Sequence, residues 1–328
     1  MKNYTSKERV LTALKGGQPD KVPFMESLID LEMQQRIMRR EDYGLNELAA
    51  EIGMDGFGYG GFLPPVFAEK KIIEGRENIL NGHITSRDKL NLLKFPDPDD
   101  DALYRPAEEF IKRYQGDYAL FASVRLGIAP TLWSMGMEAF SQATFEDVDF
   151  IKTVLEKYAA WTAKMIRNIN RLGFDFIWTA DDIAFRNGPI FSPNFFREVV
   201  LPILKIAVDE IEIPWIFHSD GNLMPVLDDL LGTLQPNGLH PIDPGSDMDL
   251  GEVKRKYGKQ VCLVGNIDLN YTLTRGTPEE VDKEVKEKIA IASPGGGYMI
   301  SSSNSITAYC KLENVQAMFA AIKKYRDY

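Results

Sequence analysis

Short runs of apolar, β-branched and aromatic residues recur along this chain, and most lead into a longer stretch with apolar residues at helical spacing. The runs read as strands are VPFMESL (22–28), MDGFGYG (54–60), YALFASVR (118–125) and FDFIWTAD (174–181). Four more are PWIFHSD (214–220), GLHPID (238–243), QVCLVGN (260–266) and GGYMISSS (296–303). Stretches such as VDFIKTVLEKYAAWTAKMIRNINRLG and TPEEVDKEVKEKIAIA carry charges between the apolar positions of a helix face. Ser192-Pro193 and Thr277-Pro278 supply a capping side chain followed by a first-turn proline, so helices are expected to begin there. Eight strands alternating with helices predict a (β/α)8 TIM barrel, taken as one domain over 1–328. A doubly wound sheet is the alternative, but no strand runs into a Gly-x-Gly-x-x-Gly turn, and GYGGF (58–62) has the wrong spacing. Residues 61–117 are too long for a simple connection and read as an excursion after the second strand. It holds a hairpin within 71–87 and a linker, with His83 at the surface.

Barrel enzymes build their sites at the C-terminal ends of the strands. Those ends carry Glu26, Tyr59, Arg125, Asp181, Asp182, His218 with Asp220, His240 with Asp243, Asn266 with Asp268, and Asn304. Taken singly, each has an ordinary explanation: Asp181 or Asp268 can cap a helix, and Asn266 can hold a turn. His218 and Asp220 are harder to explain apart. Strand positions i and i+2 face the same side, so an imidazole and a carboxylate can reach one ion, an acceptable start to a zinc set. A plain His–Asp pair beside an Asp220-Gly221-Asn222 turn remains the competing reading.

Composition narrows the field. The chain has 328 residues, 44% hydrophobic and 26% charged, enough to bury a large core. A net charge of −10 argues against nucleic acid and anionic membranes as partners. Of the two cysteines, Cys262 lies in an apolar strand and reads as an inert buried thiol, and Cys310 reads as a loop or helix-start residue. The first residues carry charge throughout, and no long apolar run exists, so a cytoplasmic protein without a membrane span is expected.

Several segments carry a resemblance: ERVLTALKGGQPDKVPF (8–24), SPNFFREVVLPILKIAVDEI (192–211), FHSDGNLMPVLDDLL (217–231), LVGNIDLNYTLTRGTPEEVDKEV (263–285) and GGGYMISSSNSI (295–306). Together they resemble the uroporphyrinogen decarboxylase superfamily, and the likeness covers nearly the whole chain. It implies a (β/α)8 barrel and a place among decarboxylases or corrinoid-linked methyltransferases, O-demethylase components among them. The decarboxylases carry an Arg-rich segment after the first strand, where this chain has MESLIDLEMQQR with Glu26. The methyltransferase branch binds zinc through a His-x-Cys pair and a distant Cys. Here His218 matches the histidine, Asp220 replaces the nearer cysteine, and the distant cysteine falls near Asn304.

Exchanging thiolates for carboxylates leaves a zinc ion harder and better able to polarise oxygen than to activate a thiol. The resemblance, so modified, implies methyl transfer from an oxygen donor, an aryl methyl ether foremost, to a corrinoid (cobalamin). No Asp-x-His-x-x-Gly corrinoid-binding sequence occurs, so the corrinoid is expected on a separate protein. His218 and Asp220 are the expected metal ligands, with Glu26, Asp181 or Asp182 as the third. Glu26, Asp181, Asp182 and Asn304 are the expected catalytic set, Asn304 hydrogen-bonding substrate or a metal-bound water. Tyr59, Phe62, Arg125, Trp133, Phe185, His240 and Asn266 are expected to bind substrate, with Trp178 either joining them or filling the core. A small-molecule methyl donor and the corrinoid-binding protein are the expected partners, alongside a homodimer. A metal-free binding barrel, which Asn304 favours, a uroporphyrinogen-type decarboxylase and a corrinoid-to-acceptor transferase remain alternatives.

Overall fold

The computed structural model describes residues 4–73 and 76–328. Its strands, in chain order, are β1 (Gly56–Tyr59), β2 (Ala68–Ile73), β3 (Arg76–Gly82), β4 (Ala119–Val124) and β5 (Phe176–Thr179). They continue with β6 (Ala184–Phe185), β7 (Gly188–Pro189), β8 (Trp215–His218), β9 (Gly238–His240), β10 (Cys262–Val264) and β11 (Tyr298–Met299). Seven of them form one parallel sheet in the order β1-β4-β5-β8-β9-β10-β11, curled as a half-barrel. That is one strand fewer than the sequence predicts. The segment 22–28 makes only a parallel bridge from Phe24 to Ile300, with Met25 N–H donating to Ile300 O (3.1 Å) and Ile300 N–H to Pro23 O (2.9 Å). On its other side Asp55 N–H donates to Phe24 O at 2.8 Å. Pro23 has no N–H with which to extend a ladder, which keeps this segment short of a strand.

Helices follow the sheet strands and cover the outer face, among them Val148–Ile169 after β4, Leu227–Leu234 after β8 and Pro278–Ala292 after β10. Both expected helix starts are capped: Ser192 Oγ accepts from Phe195 N–H at 3.2 Å, and Thr277 and Glu280 close a reciprocal capping box. Beyond Ser192 the helix widens into a π-type turn at Phe196–Val200, next to Pro202, whose ring cannot donate to the regular ladder. The excursion holds β2 and β3 as an antiparallel pair and the helix Arg105–Tyr114.

Alternation along each strand divides the core in two. Phe121, Phe176, Trp178, Ile216, Val264 and Met299 fill the inside of the curl, closed from below by Val10, Ala13 and Leu14 of the helix Ser6–Leu14. The intervening residues, such as Leu120, Ile177, Phe217, Leu239 and Leu263, pack outward against the helices. The inside is thus packed solid, and the cavity beside His218 opens above the strand ends.

Beneath that core, three distant parts of the chain meet on one carboxylate. Asp55, 2% exposed, accepts from Arg9 Nη1 (2.7 Å), from Phe24 N–H (2.9 Å) and from Arg326 Nη2. Arg9 also grips Asp20 through two bonds of 2.8 and 2.9 Å, and its neighbouring carboxylates push its already high pKa higher. Removing one partner of such a buried network strands the other charges. Asp55→Ala should therefore lower unfolding free energy by about 3–5 kcal/mol, measured by urea denaturation. A loss no larger than that of an exposed ion pair, such as Lys324–Asp282 broken by Lys324→Ala, would contradict this role.

Candidate active site at the strand ends

The interior row of β8 passes from Ile216 to His218, and the chain then carries Asp220 beyond the strand end. Both face Asp182, which follows β5. One ligand-capable atom from each of Asp182, His218 and Asp220 lies within 4.8 Å of the other two. His218 Nε2 is 3.5 Å from Asp182 Oδ1 and 3.7 Å from Asp220 Oδ1. Asp182 is braced by the Asp220 N–H (3.0 Å), and Asn304 Nδ2 donates to Asp220 Oδ2. Asp220 Oδ1 is buried and has no hydrogen-bond partner among the described residues. Loss of surrounding water, with repulsion from Asp182 and Asp243, pushes the Asp220 carboxyl up to about 7. Burial depresses the His218 pKa, opposed by the charge of Asp182.

Two cavities meet at Asp182 of this trio, and a third, of about 540 Å³ with Arg186 and Arg275 in its lining, opens at Asp220. Of the first two, one, of about 310 Å³, is lined by Leu28, Leu63, Ser123, Arg125, Trp178, Asp182, His218 and Asn304. The other, of about 360 Å³, is apolar apart from Asp182 and Asp220 and is walled by Ile79, Leu80, Leu132, Trp133, Phe185 and Ile190. Arg125 donates to Ala180 O and lies over the Trp133 ring at 4.5 Å, bridging the two. Burial lowers its pKa, against the pull of Asp181 and Asp182.

Other expected site residues stand elsewhere. Asp181 is fully buried and turned away, its oxygens taken by the N–H groups of Leu126, Gly127 (3.3 Å) and Ala129 (3.0 Å) at the start of the helix Ile128–Met135. Tyr59 lies in the outer layer because β1 sends its odd-numbered residues outward, and Phe62, beyond the strand, joins it in an aromatic cluster with Phe110 and Phe174. Asn266 is fully buried and donates to Ile242 O at 2.6 Å. His240 is also fully buried, behind His218 rather than in a cavity. Asp243 and Asp268 hold turns, bonding Gly221, Gly245 and Ser246, and Asn270 and Tyr271, respectively.

Glu26 stands apart from the trio. Its Oε1 accepts from Ser302 N–H (2.8 Å), and its Oε2 lies 2.6 Å from Ser302 Oγ, which is also 2.5 Å from Asn304 O. A hydroxyl has one hydrogen, and a carbonyl cannot donate. The Ser302 hydroxyl hydrogen is therefore shared between Glu26 Oε2 and Asn304 O. Burial pushes the Glu26 pKa from 4.5 up to about 8, against the Ser302 bonds, which favour the charged form. Ser302 was visible in the sequence only as one of three serines at a strand end. The Ile79–Leu80 wall carries no local signal, because a hairpin strand shows its own pairing and not the cavity it leans over.

The uroporphyrinogen decarboxylase (URO-D) family model matches residues 71–325. A uroporphyrinogen decarboxylase of Methylobacillus flagellatus is 27% identical over 132 residues, covering 40% of this chain and 35% of the relative. One from Coxiella burnetii is 22% identical, covering 61% and 57%. A methylcobamide:CoM methyltransferase of Methanosarcina barkeri is 23% identical, covering 58% and 54%. The chain thus spans between 35% and 57% of the length of these curated relatives. Among solved structures, a methyltransferase from Methanosarcina mazei shares the fold, with a TM-score of 0.72 at 19% identity over 98% of this chain and 99% of that one. No helix among the described residues is long and apolar enough to cross a membrane.

The protonation of Glu26 has a measurable consequence. A carboxyl whose pKa rises on folding keeps a proton that the unfolded chain releases. Its stabilising contribution is complete below about pH 4.5 and is lost as pH climbs through about 8. Glu26→Gln keeps a neutral donor and acceptor in the same place and removes the titration. Melting curves should show the wild type falling relative to Glu26→Gln between pH 5 and pH 9, approximate bounds set by that window. Parallel curves across the range would rule out a buried neutral acid.

Proposed function

We propose that this chain, which belongs to the uroporphyrinogen decarboxylase (URO-D) family, is a methyltransferase that moves a methyl group from a small-molecule donor to a corrinoid on a separate protein. The observation that carries this reading is the trio Asp182, His218 and Asp220, with the unpartnered Asp220 Oδ1 among its potential ligand atoms. A buried carboxylate oxygen without a donor is expensive, and two carboxylates with an imidazole offer the charge and donor types a zinc ion takes. Bound there, zinc would draw electron density from the donor's heteroatom while the reduced corrinoid supplies the nucleophile.

The protein's own groups do the rest. Asn304 fixes the rotation of Asp220 through its Oδ2, and the Asp220 N–H fixes Asp182. The apolar cavity beside them suits the aromatic or alkyl remainder of the donor, and Trp133 with Phe185 offers flat surfaces for a ring. Holding the methyl carbon in line with its nucleophile supplies much of the acceleration expected of such a site. In the same reading, the segment around Phe24 occupies the eighth position of a closed barrel and completes the rim near Glu26.

An ether oxygen is the donor atom this ligand set favours, because carboxylates leave the ion harder than thiolates would. The name of the Methanosarcina barkeri relative supports corrinoid chemistry and raises transfer to a thiol as a second reading. Against it, neither cysteine joins the trio, and burial pushes the Cys262 thiol up to about 12. A decarboxylase acting on a polycarboxylate needs clustered cations, yet the cavity at His218 offers Arg125 alone, facing Asp182.

The test is anaerobic incubation of zinc-loaded protein with cob(I)alamin and a panel of methyl ethers, methylamines and methyl thioethers. We expect methylcob(III)alamin to form fastest from an ether, and at least about a hundredfold more slowly with His218→Ala, on the scale of losing a positioned catalytic group. No methylation from any donor, or an unchanged rate in His218→Ala, would overturn the reading.

A further inference from the structure

His240 and His218 stack at 4.8 Å with their rings 27° apart, and their Nδ1 atoms are 2.6 Å from each other. His240 has its second nitrogen, Nε2, 3.3 Å from Ser302 O and its ring edge-on to Trp178. These contacts fix every ring hydrogen. A carbonyl oxygen only accepts, so His240 Nε2 carries a hydrogen. His240 is fully buried, and among the described residues no carboxylate pairs with it, so it stays neutral and its Nδ1 is a bare lone pair. Two lone pairs at 2.6 Å would repel, so His218 Nδ1 carries the hydrogen between the rings.

We propose that His240 is a positioning residue, holding His218 in the tautomer whose bare Nε2 faces Asp182 and Asp220. A second observation agrees. Were Nε2 to carry a hydrogen, two carboxylates would compete to accept it at charge-assisted distances of about 2.7–2.9 Å. They stand off instead at 3.5 and 3.7 Å, and Asp220 Oδ1 has no donor. The sequence placed His240 among substrate-binding residues because it ends a strand. Its side chain instead lies beside His218, level with it across the β8–β9 pair, where it sets the direction of that lone pair. Metal-binding histidines commonly depend on such a partner at their other nitrogen.

The assignment builds on His218 as a metal ligand, but it is tested without any metal. The chain has three histidines, so ¹⁵N-histidine labelling gives a readable long-range ¹H–¹⁵N spectrum of the metal-free protein. We expect His218 to show a pyrrole-type Nδ1 and a pyridine-type Nε2, and His240 the reverse. In His240→Leu the His218 hydrogen should move to Nε2, and zinc affinity should fall about 10–100-fold. His240→Asn, whose amide oxygen accepts near the former Nδ1, should restore both. A hydrogen on His218 Nε2 in the wild-type protein overturns the proposal, and that spectrum decides even where His240→Leu does not fold. An unchanged His218 tautomer in a folded His240→Leu overturns it too. The expected tautomers in a protein that takes up no zinc would uphold His240 as the positioning residue and remove the metal reading alone.

Discussion

Side chains two residues apart on a strand share a face, and the candidate site depends on that spacing. The row that fills the inside of the curl with Ile216 brings His218 next and Asp220 after it. The neighbouring row places His240 above Gly238, level with His218, because β8 and β9 pair in register there. On β5 the inner row ends at Trp178, whose ring closes the space beneath His240. A one-residue slip in any of these strands would exchange the site for outward-packing residues. The packed interior that prevents slippage thus also aims the polar groups.

Electrostatics then limits what those groups can do. The end of the sheet collects Glu26, Asp181, Asp182 and Asp220 within a small volume, and each is dealt with separately. Burial pushes the Glu26 pKa up to about 8, and Ser302 donates to both its oxygens. Asp181 is wrapped by three backbone N–H groups. Asp182 and Asp220 are left facing one imidazole lone pair, with a buried oxygen unpartnered. Arg125 lines the same cavity as Asp182 and His218, but it is spent on Ala180 O and the Trp133 ring. Two carboxylates and a neutral nitrogen held in this way match the charge and donor preference of a divalent ion.

Much of this was legible in the sequence because it follows from local period. Short apolar, β-rich runs located the seven sheet strands, Ser192 and Thr277 marked helix starts, and the spacing of His218 and Asp220 put both on one side. Position at a strand end, however, does not say which way a side chain turns. Asp181 and Asp182 are adjacent, and only packing against the helix Ile128–Met135 decided that the first faces inward to backbone amides and the second to the site. Tyr59 failed as a cavity residue because β1 begins with Gly56 inside, a phase that the glycine-rich run MDGFGYG leaves open. Neither the β2–β3 wall over the second cavity nor the Arg9–Asp55–Arg326 network has a local signature, since both join residues far apart in the chain.

In the proposed site a metal would be held by nitrogen and oxygen without sulfur. X-ray absorption at the zinc edge of the loaded protein reads that ligand set directly. The account predicts an imidazole signature with a first shell of N and O donors at about 2.0–2.2 Å. A sulfur shell near 2.3 Å, the distance of a thiolate ligand, or a spectrum of fully hydrated zinc, would contradict it.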